Sequence, residues 1–296
     1  MKTPRDNRKM KLTHAIQKFL LDCTSRGLSA KTTRRYHDDL HRLTHHMNNP
    51  NKLLRSITSD ELKILFVKLH ERKLSPFSIE GIHRSLNCFF NFCEREQFIA
   101  SNPMRHMKKP KLPHQIIPRL DEGQIKQLFS AIRYTNDAQR NQAIVMFMID
   151  SGLRRGEITK LMMLDVHRRF VKVKGKGRRE REVPISRETQ SAIKKWITIR
   201  PASNDNHLFI THTGKPLTDS AIASLFRRLK KTLNLKRFYP HLLRHTFAKA
   251  YLRKGDAKSL SLILGHQKVS TTLEIYVDYD LQDLIRKHHV AHPIKF

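Results

Sequence analysis

The sequence predicts a mainly α-helical protein with a small β-hairpin, divided into a helical N-terminal domain and a mixed α/β C-terminal domain. Three observations support this prediction. Apolar residues recur at helical spacing along most of the chain, two short alternating segments flank a Gly-Lys-Gly turn, and a segment rich in proline and lysine separates the two halves. We place the helical domain at residues 1–108, an extended linker at 109–118 and the mixed domain at 119–296.

The N-terminal domain is predicted to contain four helices. Residues 12–47 form the first two, with a glycine-containing turn at Ser25–Ser29 between them. The third helix starts near Ser59. The fourth begins at Ser75–Pro76, because serine caps a helix N-terminus and proline suits its first turn. Cys88 and Cys93 fall among the apolar positions of that helix, so we expect them to be small core residues.

The C-terminal domain is predicted to mix helices with short strands. Phe170–Val173 and Arg181–Ile185 are expected to pair as a hairpin, and Leu208–Ile210 is expected to form a further short strand. The predicted helices cover residues 121–133, 141–149, 218–234, 241–253, 257–264 and 270–277. The segment 280–296 is expected to form a short helix followed by an extension.

Net charge is the strongest compositional signal. The 58 Lys and Arg residues exceed the 26 Asp and Glu residues, which gives a formal charge of +32, and the excess is present in both predicted domains. Such a surplus repels itself unless a polyanion offsets it, so we expect a nucleic acid partner. A hydrophobic content of 39% is too high for a disordered basic tail.

Several other classes of protein are disfavoured. The longest apolar stretches, such as Ala143–Ile149, are far shorter than the ~20 residues that span a bilayer. Met1–Lys11 is basic but has no apolar region of the kind found in signal peptides. The three cysteines form no C-x-x-C pair, which disfavours a zinc finger and a disulfide scaffold. We therefore expect a cytoplasmic protein with no membrane association.

The residues with catalytic chemistry fall in five short segments of the C-terminal domain. Glycine-rich phosphate loops are missing, and the pair His241 and His245 lacks the glutamate of a zinc-protease helix because residue 242 is Leu. A guanidinium group is permanently charged and can donate hydrogen bonds to two phosphate oxygens at once. Arg154 and Arg244 therefore suit a site that stabilises negative charge. The five segments are Ser151–Glu157 (SGLRRGE), Lys176 in the Gly-Lys-Gly turn, His241–His245 (HLLRH), Leu264–His266 (LGH) and Thr271–Tyr276 (TTLEIY).

In order and residue type, these segments resemble those of the tyrosine recombinase (phage integrase) family, and the two-domain layout is similar to that of its Xer-like site-specific recombinases. The resemblance covers nearly the whole chain. It implies a SAM-like core-binding DNA-binding domain at 1–108 and a catalytic domain at 119–296. It also implies cutting and rejoining of double-stranded DNA through a 3′-phosphotyrosyl intermediate, with strand exchange through a Holliday junction during integration, excision or dimer resolution.

The resemblance assigns roles to the reacting groups. Tyr276 would be the nucleophile, because the family pattern places it after the Thr-Thr pair, with Tyr279 as the local alternative. Lys176 would protonate the leaving 5′-oxygen as general acid, with Lys174 as the alternative. No metal or nucleotide cofactor is expected, because arginine, lysine and histidine supply the charge and the protons.

The remaining site residues would surround the phosphate. Arg154 and Arg244 would stabilise its developing charge. His241 would accept the tyrosine proton or hold the phosphate, and His266 would donate a hydrogen bond to a nonbridging oxygen. His245 is expected to pack or cap within the domain.

The implied partners are double-stranded DNA with an inverted-repeat core site and further protomers, in a homotetramer or in a heterotetramer with a related recombinase. Lys254–Asp256 departs from the family's Gly-Gly-Asp turn. The resemblance also implies that the apolar residues within 281–296 dock on a neighbouring protomer, with packing inside the same chain as the alternative. Candidate DNA-contacting residues are Lys31, Arg34, Arg35, Arg227 and Arg228.

Two other classes of function remain as alternatives. One is a related phosphotyrosine enzyme, either a type IB topoisomerase-like protein or a hairpin telomere resolvase, which the two-domain layout disfavours. The other is a catalytically silent DNA-binding module, which the filled catalytic positions disfavour.

Overall fold

The chain forms two compact units, Met1–Gln115 and Ile116–Phe296. The structure is a computed structural model that describes residues 9–113, 118–175, 180–266 and 268–276. No helix among these residues is long and apolar enough to cross a membrane.

The N-terminal unit contains the four predicted helices. They are α1 (Leu12–Ser25), α2 (Ala30–Met47), α3 (Ser59–Glu71) and α4 (Pro76–Arg95). Side-chain oxygens of Ser29 and Ser75 accept hydrogen bonds from the first turns of α2 and α4, as the sequence predicts. The cap of α3 is Thr58, which forms a reciprocal capping box with Glu61.

Phe19 of α1 is central to the core of the N-terminal unit. Its ring is fully buried, and its centroid lies between 5.2 and 5.6 Å from the ring centroids of Tyr36, Phe89 and Phe92. Tilted aromatic contacts at this spacing add to the stabilisation from buried area. The core therefore holds α2 and α4 against α1.

The free cysteines of this unit belong to its interior. Cys93 is fully buried and Cys88 is half-buried, as expected for residues on the inner face of α4. Cys23 of α1 is also buried, and burial raises the pKa of its thiol to about 11. The Cys23 thiol is therefore protonated and unreactive at neutral pH.

In its described residues, the C-terminal unit combines helices with a hairpin. Strands β1 (Phe170–Lys174) and β2 (Glu180–Pro184) pair antiparallel, with Val171 opposite Val183. The helices are α5 (Glu122–Arg133), α6 (Ala138–Asp150), α7 (Arg155–Ile158), α8 (Arg187–Ile199), α9 (Asp219–Thr232), α10 (Pro240–Leu252), α11 (Ala257–Leu264) and α12 (Val269–Tyr276). The mainly α fold with a small hairpin is thus confirmed.

The prediction of a strand at Leu208–Ile210 is wrong. The segment is bounded by single bridges, His207 with Met162 and Ile210 with Pro216, and forms no ladder. Its side chains are buried, and the carbonyl of Leu208 accepts a hydrogen bond of 2.8 Å from the indole of Trp196. The apolar run therefore reflects burial under α8 rather than sheet pairing.

The described residues of the C-terminal unit form a larger and a smaller hydrophobic core. The larger one surrounds α6, whose Ile144 and Phe147 are fully buried between α8 and α10. A smaller core joins α10, α11 and α12 through the buried residues Ala248, Leu252, Leu260, Leu264 and Tyr276. This smaller core sets the last helix, and with it Tyr276, against α10.

Candidate active site

Arg244 is the most buried charged residue of the site. Its side chain lies in the second turn of α10 and the residue is 2% exposed. Nη1 donates to the carbonyl of Gly152 at 2.6 Å, and Nη2 donates to the carbonyl of Leu264 at 2.8 Å. Burial and the nearby charge of Arg154 lower its pKa to about 10, which leaves it charged at neutral pH.

Arg154 immediately precedes α7. Its Nη1 donates to Glu157 Oε1 at 2.9 Å, while its backbone N–H donates to Glu157 Oε2 at 2.8 Å. This pair of bonds closes the first turn of the helix. The Arg154 side chain is 35% exposed, so its guanidinium remains available to an anion from solution.

Glu157 is the carboxylate shared by two arginines. Arg181 of β2 donates from Nη1 and Nη2 to the two oxygens of Glu157, each at 3.0 Å. Burial alone would raise the pKa of Glu157, but the bonds from Arg181 and Arg154 hold it below its usual value. Arg181 was not among the predicted site residues. The one sequence signal for it is that it shares a strand face with the buried Val183.

His266 lies just after the left-handed Gly265 that ends α11. Its Nε2 is 3.1 Å from Arg244 Nη2, and its Nδ1 is 2.8 Å from Thr272 Oγ1. Arginine can only donate, so Nε2 accepts and Nδ1 carries the proton. Burial, followed by the charge of Arg244, lowers the pKa of His266 to about 4, so the ring is neutral at physiological pH.

Tyr276 is the last residue of α12 and is 5% exposed. Its ring centroid lies 5.4 Å from that of His245 and 6.1 Å from that of His266. Burial raises the pKa of the Tyr276 hydroxyl, whereas the charge of Arg244 and a hydrogen bond with it act in the opposite direction. The hydroxyl is therefore protonated at rest, next to a cation that favours its oxyanion.

Two histidines of α10 face the same region. His241 is exposed at the start of the helix, although the surrounding protein desolvates part of its ring. This desolvation, then the charges of Arg244 and Arg154, lower its pKa. His245 lies behind it, with ring centroids 6.1 Å apart. Its Nδ1 is buried and has no hydrogen-bond partner among the described residues. His245 packs within the domain, as expected.

Five of the six predicted catalytic side chains come together in the described part of the chain. They are Arg154, His241, Arg244, His266 and Tyr276. Lys176 and the alternative nucleophile Tyr279 lie outside the described residues. Lys174 is described; its side chain is 58% exposed and its Nζ is 4.0 Å from Glu180.

The predicted DNA-contacting residues lie on two exposed helix faces. Lys31, Arg34 and Arg35 are exposed on α2, and Arg227 and Arg228 are exposed on α9. Arg35 Nε also lies 3.6 Å from Asp39 of the same helix.

The turn at Lys254–Asp256, which departs from the family pattern, is ordered by Asp256. Its carboxylate accepts a hydrogen bond from Ser259 N and caps α11.

The arrangement is chemically suited to a phosphodiester. The charges of Arg244 and Arg154 act on the Tyr276 hydroxyl, and the His266 ring lies 6.1 Å from the Tyr276 ring. Such preorganised donors stabilise charge that develops on nonbridging oxygens. Within the described residues, no group of three or more His, Cys, Asp and Glu side chains is placed to hold a metal ion.

Models of two protein families match most of the chain. The model of the phage integrase family matches residues 118–282, and that of the phage integrase N-terminal SAM-like domain matches residues 16–97. The tyrosine recombinase XerC of Shewanella oneidensis is 31% identical over 300 residues, covering 99% of this chain and 97% of that protein. The XerC of Alcanivorax borkumensis is 30% identical over 249 residues, covering 80% of each.

Solved structures share the fold. The Tn1549 transposon integrase in complex with transposon right end DNA superposes with a TM-score of 0.79 at 20% identity, covering 95% of this chain and 99% of that one. A lambda integrase dimer bound to a core site gives a TM-score of 0.76 at 17% identity, covering 92% and 98%. Taken with the matched family models and the XerC relatives, the chain belongs to the phage integrase family and is a tyrosine recombinase.

Proposed function

We propose that this protein is a site-specific DNA recombinase that cuts a strand with Tyr276 and rejoins it to another. The observation that carries the proposal is the meeting of Arg154, Arg244 and His266 around the Tyr276 hydroxyl, although these residues are far apart in sequence. The relatives named above support the reaction class. The topoisomerase-like, telomere-resolvase and silent-module alternatives have no support among them.

In the first step, the Tyr276 oxygen attacks a backbone phosphorus, and the bond from phosphorus to the 5′-oxygen breaks. The product is a 3′-phosphotyrosine and a free 5′-hydroxyl. In the second step, the 5′-hydroxyl of a second strand attacks the phosphotyrosine, which restores a phosphodiester and releases tyrosine. Energy is kept in the covalent bond, so no nucleotide is needed.

Arg154 and Arg244 stabilise the extra negative charge of each transition state. Arg244 already acts on the Tyr276 hydroxyl, so a phosphate bound by this guanidinium would lie beside the nucleophile. His266 would donate a hydrogen bond to the phosphate from Nε2 only after this nitrogen gains a proton and Arg244 turns from it to the phosphate.

Two proton transfers complete the chemistry. His241 is solvent-open with a lowered pKa, so it is neutral at physiological pH and can accept the Tyr276 proton or hold the phosphate. Lys176 would give a proton to the leaving 5′-oxygen, with Lys174 as the alternative.

The proposed substrate is double-stranded DNA with an inverted-repeat core site, in the cytoplasm. Residues 1–108 would act as the core-binding domain, joined by the linker 109–118 to the catalytic domain at 119–296. The exposed basic faces of α2 and α9 would contact phosphates or base edges. We propose four protomers, identical or paired with a related recombinase, that exchange strands through a Holliday junction. A lambda integrase tetramer bound to such a junction shares the fold, with a TM-score of 0.76. The segment 281–296 would dock on a neighbour.

A covalent-trapping assay tests the proposal. Duplexes with a randomised core are first selected by binding to the full chain. The recovered sequence is then made with a nick that lets the cleaved fragment escape. We expect a DNA-linked protein band in EDTA on a denaturing gel, and we expect Tyr276→Phe to abolish it while Tyr279→Phe retains it.

Each other outcome has a definite meaning. A band that persists in Tyr276→Phe and vanishes in Tyr279→Phe would move the nucleophile to Tyr279. Tight binding of the selected duplex without any band would overturn the proposed activity and support the DNA-binding module instead.

A further inference from the structure

Arg181 is a nearly buried arginine that the proposed chemistry does not use. Its side chain is 14% exposed, and each of its three guanidinium nitrogens donates a hydrogen bond. Nε donates to the carbonyl of Ile263 at 2.8 Å, and Nη1 and Nη2 donate to the two oxygens of Glu157 at 3.0 Å each. Three directed bonds on a planar group fix both its position and its orientation.

Each set of bonds leads to a group that we place at the phosphate. Glu157, on one side, also accepts from Arg154 Nη1 at 2.9 Å, so one carboxylate holds both arginines. On the other side, Ile263 is in the last turn of α11, three residues before His266.

Arg181 also packs closely on the turn that carries His266. A Cβ atom added at Gly265 would lie 3.0 Å from Arg181 Cζ and Nε. The guanidinium therefore lies directly against the backbone of this left-handed glycine. A shift of Arg181 would disturb the turn that directs the His266 ring toward Arg244.

We propose that Arg181 is a positioning residue for the recombination reaction, which sets Arg154 through Glu157 and His266 through the end of α11. The inference rests on the proposed function, because it assigns Arg181 to the geometry of that reaction. In this proposal Arg181 does not touch the phosphate. It holds two phosphate-binding groups, Arg154 and His266, in fixed positions relative to each other. A misplacement of about 1 Å in such a group can reduce a rate about 100-fold.

The competing explanation is that Arg181 only stabilises the fold. Arg200 provides a matched control, because its Nη2 also donates to backbone carbonyls, those of Asp205 at 2.7 Å and His207 at 2.8 Å, outside the site. Arg181→Gln and Arg200→Gln would be compared in the full chain. The measurements are the rate of covalent complex formation on the nicked duplex, the affinity for that duplex and the thermal midpoint.

We expect Arg181→Gln to form the covalent complex about 100-fold more slowly per folded molecule, with less than a threefold change in affinity. Arg200→Gln should keep the wild-type rate in its folded fraction. Arg181→Lys serves if the glutamine variant does not fold; it keeps the charge but cannot make three directed bonds, and we expect it to be slow as well.

A double-mutant cycle with Arg154→Gln measures the coupling between the two arginines, which a purely structural role of Arg181 would not produce. If Arg181 acts through Arg154, removing both should cost clearly less than the product of the single losses. Multiplicative losses, or an Arg181→Gln rate within threefold of wild type, would overturn the inference. The wild-type control separates the two proposals, because a wild-type chain without a Tyr276-linked band refutes the proposed function itself.

Discussion

Arg244 and His266 are joined by a hydrogen bond of 3.1 Å from Nη2 to Nε2, and this bond places the ring proton of His266 on Nδ1. Because Nε2 accepts from Arg244 and Nδ1 donates to Thr272, the DNA-free site has no proton on Nε2. A phosphate oxygen between the two side chains would replace this bond, since it can accept from Arg244 and from a protonated Nε2. Binding of a phosphate by both side chains therefore requires Nε2 of His266 to gain a proton.

Substitution of Arg244 and of Arg154 should have different effects on stability but similar effects on activity. Arg244→Lys should slow covalent complex formation about 100- to 1000-fold. It should also lower the free energy of unfolding by about 1–3 kcal/mol, because the carbonyls of Gly152 and Leu264 lose a buried donor. Arg154→Lys should slow the reaction similarly but change unfolding by less than about 1 kcal/mol, because its side chain is 35% exposed.

Urea unfolding and single-turnover cleavage measure the two effects. Equal losses of stability in both variants would contradict the difference in burial. An Arg244→Lys protein that cleaves at the wild-type rate would remove Arg244 from the phosphate.

Gly152 should tolerate no side chain. Its φ is +63°, and an added Cβ would lie 2.6 Å from Phe247 Cδ1 and 2.8 Å from Leu264 Cδ2. Gly152→Ala should therefore combine a backbone penalty of about 1–2 kcal/mol with overpacking of about 1–3 kcal/mol. Gly27 is the matched control, since its φ is +70° and nothing lies within 4 Å of its added Cβ.

We expect Gly27→Ala to show the backbone penalty alone. Gly152→Ala should also lose cleavage activity, since the Gly152 carbonyl anchors Arg244. If the two variants had the same urea midpoint, the side chains of Phe247 and Leu264 would be able to move away from the added methyl group at little cost.

Local signals predicted most of the fold. The caps Ser29 and Ser75 and the apolar spacing of α1 to α4 depend on neighbours within a few residues, and the structure confirms these helices. Helix α8 was not predicted, although Ser186 caps it and Trp196 lies on its buried face. The Leu208–Ile210 strand was wrong because buried loop and buried strand share the same apolar pattern.

Sequence motifs identify some residues of the site and miss others. Arg154, Arg244 and His266 stand in short recognisable strings. Arg181 does not, because its partners Glu157 and Ile263 are 24 and 82 residues away, and no local periodicity links residues at that separation. Contacts of this kind depend on the tertiary arrangement of β2 against α11.

Arg34 should contribute to DNA binding through charge. If it contacts one phosphate, Arg34→Gln should reduce the slope of log K against log salt by about 0.9, because one fewer counterion is released. Arg26→Gln is the control; it removes the same charge from the same unit, but Arg26 already donates to Asp22 at 3.2 Å.

The slopes of both variants would be obtained by measuring their affinity for the selected duplex at several salt concentrations between about 50 and 300 mM. An unchanged slope for Arg34→Gln, or the same reduction for Arg26→Gln, would count against a specific phosphate contact on α2.

His245 should make the protein less stable in mild acid. Burial, then the charges of His241, Arg244 and Lys249, lower its pKa to about 4, while an unfolded histidine titrates near 6.5. Between these values the unfolded chain binds more protons than the folded one, so the free energy of unfolding falls as pH falls from about 6.5 to about 4. His266 acts in the same direction. Removing His245 should therefore flatten the curve without abolishing its slope.

The measurement compares unfolding of wild type and His245→Asn in urea at pH 7 and pH 4.5. Carboxylates that titrate in this window cancel in the difference between the two proteins. We expect wild type to lose roughly 1 kcal/mol more than His245→Asn over the interval, after allowance for solvent screening. Equal losses would mean that the half-buried His245 ring accepts a proton as readily as it does in water, which its buried, unpartnered Nδ1 and cationic surroundings oppose.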